Sequence, residues 1–142
     1  MICDQTFIIT PKKEFTNITS LIQSAIDDQG LKEGLCIVYS KHTTACIGIL
    51  EDEKLLMNDM HNFLEFLSPS GAVYQHDDIE HRTVPPEERR NGHSHLRAML
   101  LNHQQTIPVI DYNLDLGKWQ KLFYIETDLG KEDRTYSICF IS

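Results

Sequence analysis

Hydrophobic positions along the chain change their period several times, and each change marks a boundary between elements. Ile18, Leu21, Ile22, Ala25 and Ile26 recur at i, i+3, i+4, i+7 and i+8, which lines one face of a helix. Thr16 or Asn17 can cap its start, and Gly30 suits the left-handed position just past its end. Leu56, Met60, Phe63, Leu64 and Leu67 repeat the same period, with Asp52 as N-cap and Ser68-Pro69-Ser70-Gly71 as the stop. Leu96, Met99 and Leu100, extended by His103, predict a third, shorter helix.

Strands fill the intervals. Cys3 to Ile9 reads as the first, stopped by Pro11 and Lys12-Lys13. Leu35–Ser40 and Ala45–Leu50 are β-rich segments on either side of the polar His42-Thr43-Thr44, and one bent strand or two consecutive strands both fit. Thr106–Asp111, a Tyr112-Asn113 turn, Trp119–Thr127 and Tyr136–Ile141 complete the set, the last two joined by a polar turn, Asp128 to Asp133. Strands with three interspersed helices and late hairpins predict a single α+β domain, 1–142, with mostly antiparallel sheets. Leu35–Ser40 and Thr106–Asp111 are apolar on both faces, so a sheet covered on both sides is expected. Only Gly71 to Asn91 lacks periodicity, and an acidic, polar loop of that length is often functional.

Charge narrows the partners. A net charge of −8 argues against an electrostatic grip on nucleic acid, and Arg89-Arg90 follows directly on Glu87-Glu88. No apolar run reaches the roughly 20 residues of a membrane span, and the first residues lack a signal-peptide pattern, so a cytoplasmic setting with no membrane partner is expected. Cys3, Cys36, Cys46 and Cys139 form no C-x-x-C pair and read as free, small hydrophobes.

The candidate chemistry lies where polar groups interrupt these patterns. Asn91-Gly92 is a turn and Ser94 an N-cap, which places His93 and His95 at a loop-to-helix junction where both rings can turn to one side. Inside a helix, positions i and i+2 point about 200° apart and cannot share an ion. His42 as a third nitrogen would leave one position open, the pattern of a catalytic zinc site; histidines in a solvated loop are the alternative. His42-Thr43-Thr44 is either a strand end or a ligand or proton-transfer histidine beside two hydroxyls that can hold phosphate oxygens. Glu126 shares strand parity with Gln120, and a carboxylate on so apolar a strand is either at an exposed end or partnered by a cation, metal or substrate. His76-Asp77-Asp78 reads as solvated loop, and His61 and His81 as surface.

Ser40-Lys41-His42-Thr43-Thr44-Ala45, Asn91-Gly92-His93-Ser94-His95-Leu96-Arg97-Ala98, Thr106-Ile107-Pro108-Val109, Leu114-Asp115-Leu116-Gly117-Lys118-Trp119-Gln120 and Glu126 occur in this order and spacing over almost the whole chain. In this the sequence resembles the YjbQ family, small proteins also described as secondary thiamine-phosphate synthases. The resemblance implies a sandwich-like α+β fold, a homotrimer, and a pocket at His42 and the His93/His95 junction that holds a metal or phosphate-like anion. It also implies a low-level ability to make thiamine phosphate from a pyrimidine pyrophosphate and a thiazole phosphate. Three departures stand out: Leu50-Glu51 for an Asn-Glu pair, Leu101-Asn102 within a Leu-Leu-Gly, and Leu129 to Arg134 for a Gly-Pro-Arg turn.

The expectation is a metal-assisted enzyme on a small phosphorylated or pyrophosphorylated substrate. His42, His93 and His95 hold a divalent metal, zinc first and Mg²⁺ with a pyrophosphate. Thr43, Thr44, Arg97 and Gln120 bind substrate, with positive charge from Lys41 or Arg97. Glu126 orients a ligand histidine or moves a proton. The rivals are a metal-dependent hydrolase and a non-catalytic metal- or anion-binding trimer.

Overall fold

The computed structural model describes residues 2–130 and 133–142, with side chains from residue 5 onward. In chain order the elements are β1 (Ile2–Ile9), β2 (Phe15–Asn17), α1 (Thr19–Gln29), β3 (Gly34–Ser40), β4 (Ala45–Leu50), α2 (Lys54–Leu67), α3 (Gly92–Leu100), β5 (Gln104–Ile110), β6 (Asn113–Leu114), β7 (Lys121–Glu126) and β8 (Arg134–Ile141). Three helices and all-antiparallel ladders make the α+β fold expected from the sequence. One sheet has five strands in the order β1-β8-β3-β5-β6, and the other has three, β2-β7-β4.

The period-2 alternation along β4 and β7 explains the layers. Ala45, Ile47, Leu122 and Tyr124 join the larger core, which also takes Cys36, Val38, Ile107, Ile138 and Phe140 from the five-stranded sheet and Ile18, Ile22 and Ile26 from α1. Cys46, Phe123 and Ile125 point the other way, into a second core with Ala98 of α3 and, at its margin, Met57 and Met60 of α2. The sheet covered on both sides is therefore the three-stranded one. Leu35–Ser40 and Thr106–Asp111, expected to fill that role, leave Leu35, Tyr39 and Ile110 exposed on the outer surface. Period alone shows that a face is apolar and not whether another layer covers it.

Other boundaries moved for identifiable reasons. Glu53, not Asp52, caps α2: its carboxylate accepts from the N–H groups of Leu55 at 2.8 Å and Leu56 at 2.7 Å. Asp52 instead accepts from Asn17 Nδ2, while Asn17 Oδ1 takes the Thr19 N–H at the start of α1. Gly30 adopts φ 67° and closes α1, the left-handed geometry that favours glycine. β3 and β4 belong to different sheets, so His42-Thr43-Thr44 is a crossing between them and not the middle of one strand. His103 lies beyond α3, and within residues 71–91 the chain makes two short 3₁₀ turns, Gln75–Asp77 and Ile79–His81.

Candidate functional site

The crossing at His42–Thr44, the start of α3 and the end of β7 are tied at one corner. Thr44 O accepts the Thr127 N–H at 3.0 Å and lies 2.6 Å from Thr127 Oγ1, which is also 2.9 Å from Ser94 O. Ser94 Oγ donates to Thr127 O at 2.5 Å. Ser94 is thus a buried tie between α3 and β7, and Asn91 occupies the N-cap position expected for it.

A cleft of about 370 Å³ opens at this corner, lined by Thr43, Thr44, Asn91, His95, Arg89 and Arg134. Glu87, Glu88 and Asp128 contribute its carboxylates. Its guanidinium groups are held from behind. Glu126 is 1% exposed and accepts from Arg134 Nε at 2.6 Å and from the Asp128 N–H at 2.9 Å. Burial pushes the Glu126 carboxyl upward, against the pull of the Arg134 guanidinium. Asp128 in turn takes Arg89 at 2.7 Å and Asn91 Nδ2 at 2.6 Å. Glu126 therefore acts on a cation of the cleft and not on a histidine ligand.

His95 reaches this cleft, its ring centroid 4.5 Å from that of His76 in an edge-to-face contact. Burial, then the neighbouring His76, lowers its pKa, so the ring is neutral at pH 7. The long loop is fastened here. Gly92 N donates to Asp77 Oδ1 at 2.8 Å, and a Cβ on Gly92 would sit 2.6 Å from Tyr74 Cβ, so only glycine lets loop and helix approach this closely. Arg82 donates to His76 O and pairs with Glu88 at 3.5 Å, and Glu88 lies 3.9 Å from His76 Nε2.

His93 goes elsewhere. Because α3 begins at Gly92, His93 and His95 are both helical, and their rings diverge as i and i+2 must. His93 lines a second cleft, about 310 Å³, with Arg97, Glu65 and His61. Its Nε2 is 3.1 Å from Ser94 Oγ, whose hydrogen already goes to Thr127 O, so His93 donates there and its Nδ1 carries the lone pair. That Nδ1 is buried and without a hydrogen-bond partner among the described residues. Burial, then Arg97, lowers the His93 pKa. His42 Nε2 accepts the Thr135 N–H at 2.8 Å, which engages that ring with β8. Within one chain the three rings do not form a ligand set. Among the described residues no three His, Cys, Asp or Glu side chains gather where a metal could be held.

The other expected residues separate likewise. Arg97 is buried and donates through Nε at 3.0 Å and an Nη at 2.8 Å to Ser68 O, the carbonyl that ends α2, and it pairs with Glu65. The Ser70 N–H, then Arg97, holds the Glu65 carboxyl down at about 2. Lys41 donates to Thr6 Oγ1. Gln120 precedes β7 and accepts the Gly117 N–H at 2.8 Å, in a turn that lines neither cleft described above. Thr43, Thr44 and His95 are brought together; Arg89, Asn91, Asp128 and Arg134 join them without having been picked out. The available signal was Glu126 itself, a carboxylate on an apolar strand that had to find a cation across the next turn.

Residues 5–142 match the family of UPF0047 protein YjbQ-like sequences. The chain belongs to this family. A UPF0047 protein of Methanothermobacter thermautotrophicus is 38% identical over 81% of this chain and 74% of its own length, and one of Archaeoglobus fulgidus is 33% identical over 81% and 82%. The crystal structure of a hypothetical protein from Aeropyrum pernix K1 superposes with a TM-score of 0.86 at 26% identity, covering 98% of both chains. In this YjbQ-family chain no described helix is long and apolar enough to cross a membrane.

Proposed function

We propose that this protein is an enzyme acting on a small phosphorylated or pyrophosphorylated molecule in the 370 Å³ cleft. The observation that carries the reading is the meeting, in one cleft, of two threonine side chains, two guanidinium groups and a neutral imidazole. Arg134, fixed by Glu126, and the Thr43 and Thr44 hydroxyls receive phosphate oxygens and stabilise the charge that builds on a departing phosphate or pyrophosphate. His95, neutral at working pH, accepts the proton of a water or hydroxyl nucleophile; a thiazole nitrogen attacks through its lone pair and has no proton to give up. Three carboxylates face two guanidinium groups, a net of −1, which favours a substrate that arrives as its Mg²⁺ complex. Thiamine-phosphate synthesis, in which a thiazole phosphate displaces pyrophosphate from a pyrimidine pyrophosphate, belongs to this class. Transfer to water would make the protein a hydrolase of the same leaving group.

The assembly we propose is the homotrimer that the resemblance implies; apolar side chains left exposed, Phe63 and Phe66 on α2 and Met99 and Leu100 on α3, suit self-association. Free Cys36 and Cys46 accord with a cytoplasmic setting. Pyrophosphate and phosphate release should be followed over a panel of phosphorylated metabolites with Mg²⁺, including the pyrimidine pyrophosphate and thiazole phosphate pair. Turnover should appear and, where the nucleophile is water or a hydroxyl, fall at least about a hundredfold in His95→Gln, the lower bound for losing a general base. Saturable pyrophosphate binding with no turnover on any member would reduce the protein to an anion binder.

A further inference from the structure

A third cleft, about 780 Å³, lies between the start of α1 and the segment from Asn113 to Lys121. It shares no lining residue with the two clefts that meet at Arg89 and Asp128. None of its lining residues is acidic, in a chain with 21 acidic and 13 basic residues. It carries Lys118 and Lys121 instead.

Its polar groups fall into two sets. One set is spent on building the wall. Gln23 donates to Tyr112 O at 2.7 Å and accepts the Leu114 N–H at 3.1 Å, clamping the β5–β6 hairpin to α1. Thr19 Oγ1 accepts the Leu122 N–H at 2.8 Å, Asn17 is shared between Asp52 and Thr19, and Gln120 Oε1 closes the turn on Gly117. Among the described residues the other set has no hydrogen-bond or ion-pair partner: Ser20 Oγ, Asn113 Oδ1, Gln120 Nε2 and the Lys121 ammonium. The Lys118 ammonium rests 4.8 Å from the centroid of the exposed Trp119 ring. The result is a stiff frame that presents two cations, a hydroxyl, an amide donor and an amide acceptor, at a volume usual for small-ligand sites.

We propose that this cleft is a second ligand site, which binds a phosphate monoester of a polyhydroxylated small molecule such as a sugar phosphate. The lysines meet the phosphate with no carboxylate in the lining to compete. Ser20, Asn113 and Gln120 meet the hydroxyls. Gln120 thereby keeps a binding role, at a site apart from Thr43, Thr44 and His95.

The chain has one tryptophan, Trp119, and its ring carries the ammonium of Lys118 from the cleft lining, so a ligand that engages Lys118 should change intrinsic fluorescence. Ribose 5-phosphate, inorganic phosphate and ribose should each be titrated into the full-length protein, with calorimetry in parallel. Ribose 5-phosphate should change Trp119 emission saturably and bind more tightly than either of the other two. A Lys118→Gln, Lys121→Gln double variant should weaken it about tenfold or more, the loss expected for charge-assisted contacts. Thr43→Val, Thr44→Val should leave it unchanged, which separates this site from the one proposed above. Three results would overturn the proposal: no saturable signal for ribose 5-phosphate at millimolar concentration, equal affinity for inorganic phosphate, or binding that survives the lysine changes. Light scattering on the lysine variant covers the remaining case. An altered subunit number without ligand dependence would make this surface a contact between copies.

Discussion

Glu126→Gln tests both the fold and the cleft. The Glu126 side chain is 1% and that of Arg134 11% exposed, so the pair is effectively desolvated. Removing one charge from such a pair leaves the other buried without compensation, at a cost of about 3–5 kcal/mol. Glutamine still offers one oxygen to the Asp128 N–H, but its NH₂ must face a guanidinium that has only donors. The lower end of the range, about 3 kcal/mol, is the expected loss. With an unfolding entropy near 2.1 cal/mol/K per residue, that lowers Tm by roughly 10 °C. Urea and thermal unfolding at one fixed protein concentration measure it. A Glu126→Leu, Arg134→Met variant should regain most of the stability, because the desolvation cost disappears with both charges. Pyrophosphate affinity should fall in both variants, since neither presents Arg134 as before. A single-variant loss below about 1 kcal/mol, or an affinity unchanged in both, contradicts the account of Glu126 as the group that holds Arg134 in place.

The remaining predictions concern protonation, thiols and Arg97. Burial lowers the pKa of both His93 and His95 from 6.5, so the unfolded chain binds protons first as pH falls; their contribution to stability is full above about 6.5 and declines below it. Urea midpoints at pH 7.5 and 5.5 should differ in the wild type and differ less in His93→Gln, His95→Gln. Burial, then Cys139, pushes the Cys36 thiol up to about 12; burial, then Glu126, does the same for Cys46. Neither should react with a thiol reagent at pH 8 until denaturant is added, and mass-mapped labelling of either in the native protein would show a more open core. Arg97→Met should cost about 2–3 kcal/mol, from its charged hydrogen bonds to the end of α2, and leave pyrophosphate affinity intact. A selective loss of affinity with unchanged stability would return Arg97 to the substrate.

What the sequence disclosed follows from what period and local chemistry encode. Helical faces at Ile18–Ile26 and Leu56–Leu67, and the strand runs, are local patterns, so element type and order were readable. The resemblance implied a pocket at His42 and the His93/His95 junction, and of these His95 lines the cleft with Thr43 and Thr44. The placement of the histidine rings within one chain turned on one residue of helix boundary. With Ser94 as cap, His93 would lie outside α3 and be free to turn; with the helix beginning at Gly92, both rings are fixed on diverging directions. Arg97 looks like a substrate ligand until the Ser68 carbonyl is seen to claim its Nε and an Nη, and of Gln120 the Gly117 N–H claims Oε1 alone. Those partners lie 29 residues and 3 residues away, and no spacing rule distinguishes a claimed donor from an available one. Arg134 was hidden for the same reason, since only the passage of the chain from β7 in one sheet to β8 in the other brings it to Glu126.

The two guanidinium groups of the first cleft are not equivalent, and the difference bears on how an anion enters an acidic protein. Arg134 is almost buried, and among the described residues its carboxylate partner pairs with no other cation, so it stays where Glu126 holds it and acts as a fixed point of charge. Arg89 is 45% exposed, and its partner Asp128 keeps Asn91 Nδ2 and a covered position if Arg89 departs. Arg89 also lines both neighbouring clefts. Arg89 can exchange Asp128 for a phosphate oxygen because its own side chain is nearly half in solvent, whereas the Asp128 side chain is 7% exposed and needs another cation when Arg89 leaves. A phosphate reaching the cleft meets one preorganised guanidinium and one that can close over it, while the release of Asp128 leaves a carboxylate beside the bound anion. Under the proposed function, a cation that accompanies the substrate offsets that carboxylate, so the charge count and the pairing geometry fit a Mg²⁺–pyrophosphate better than a bare phosphate.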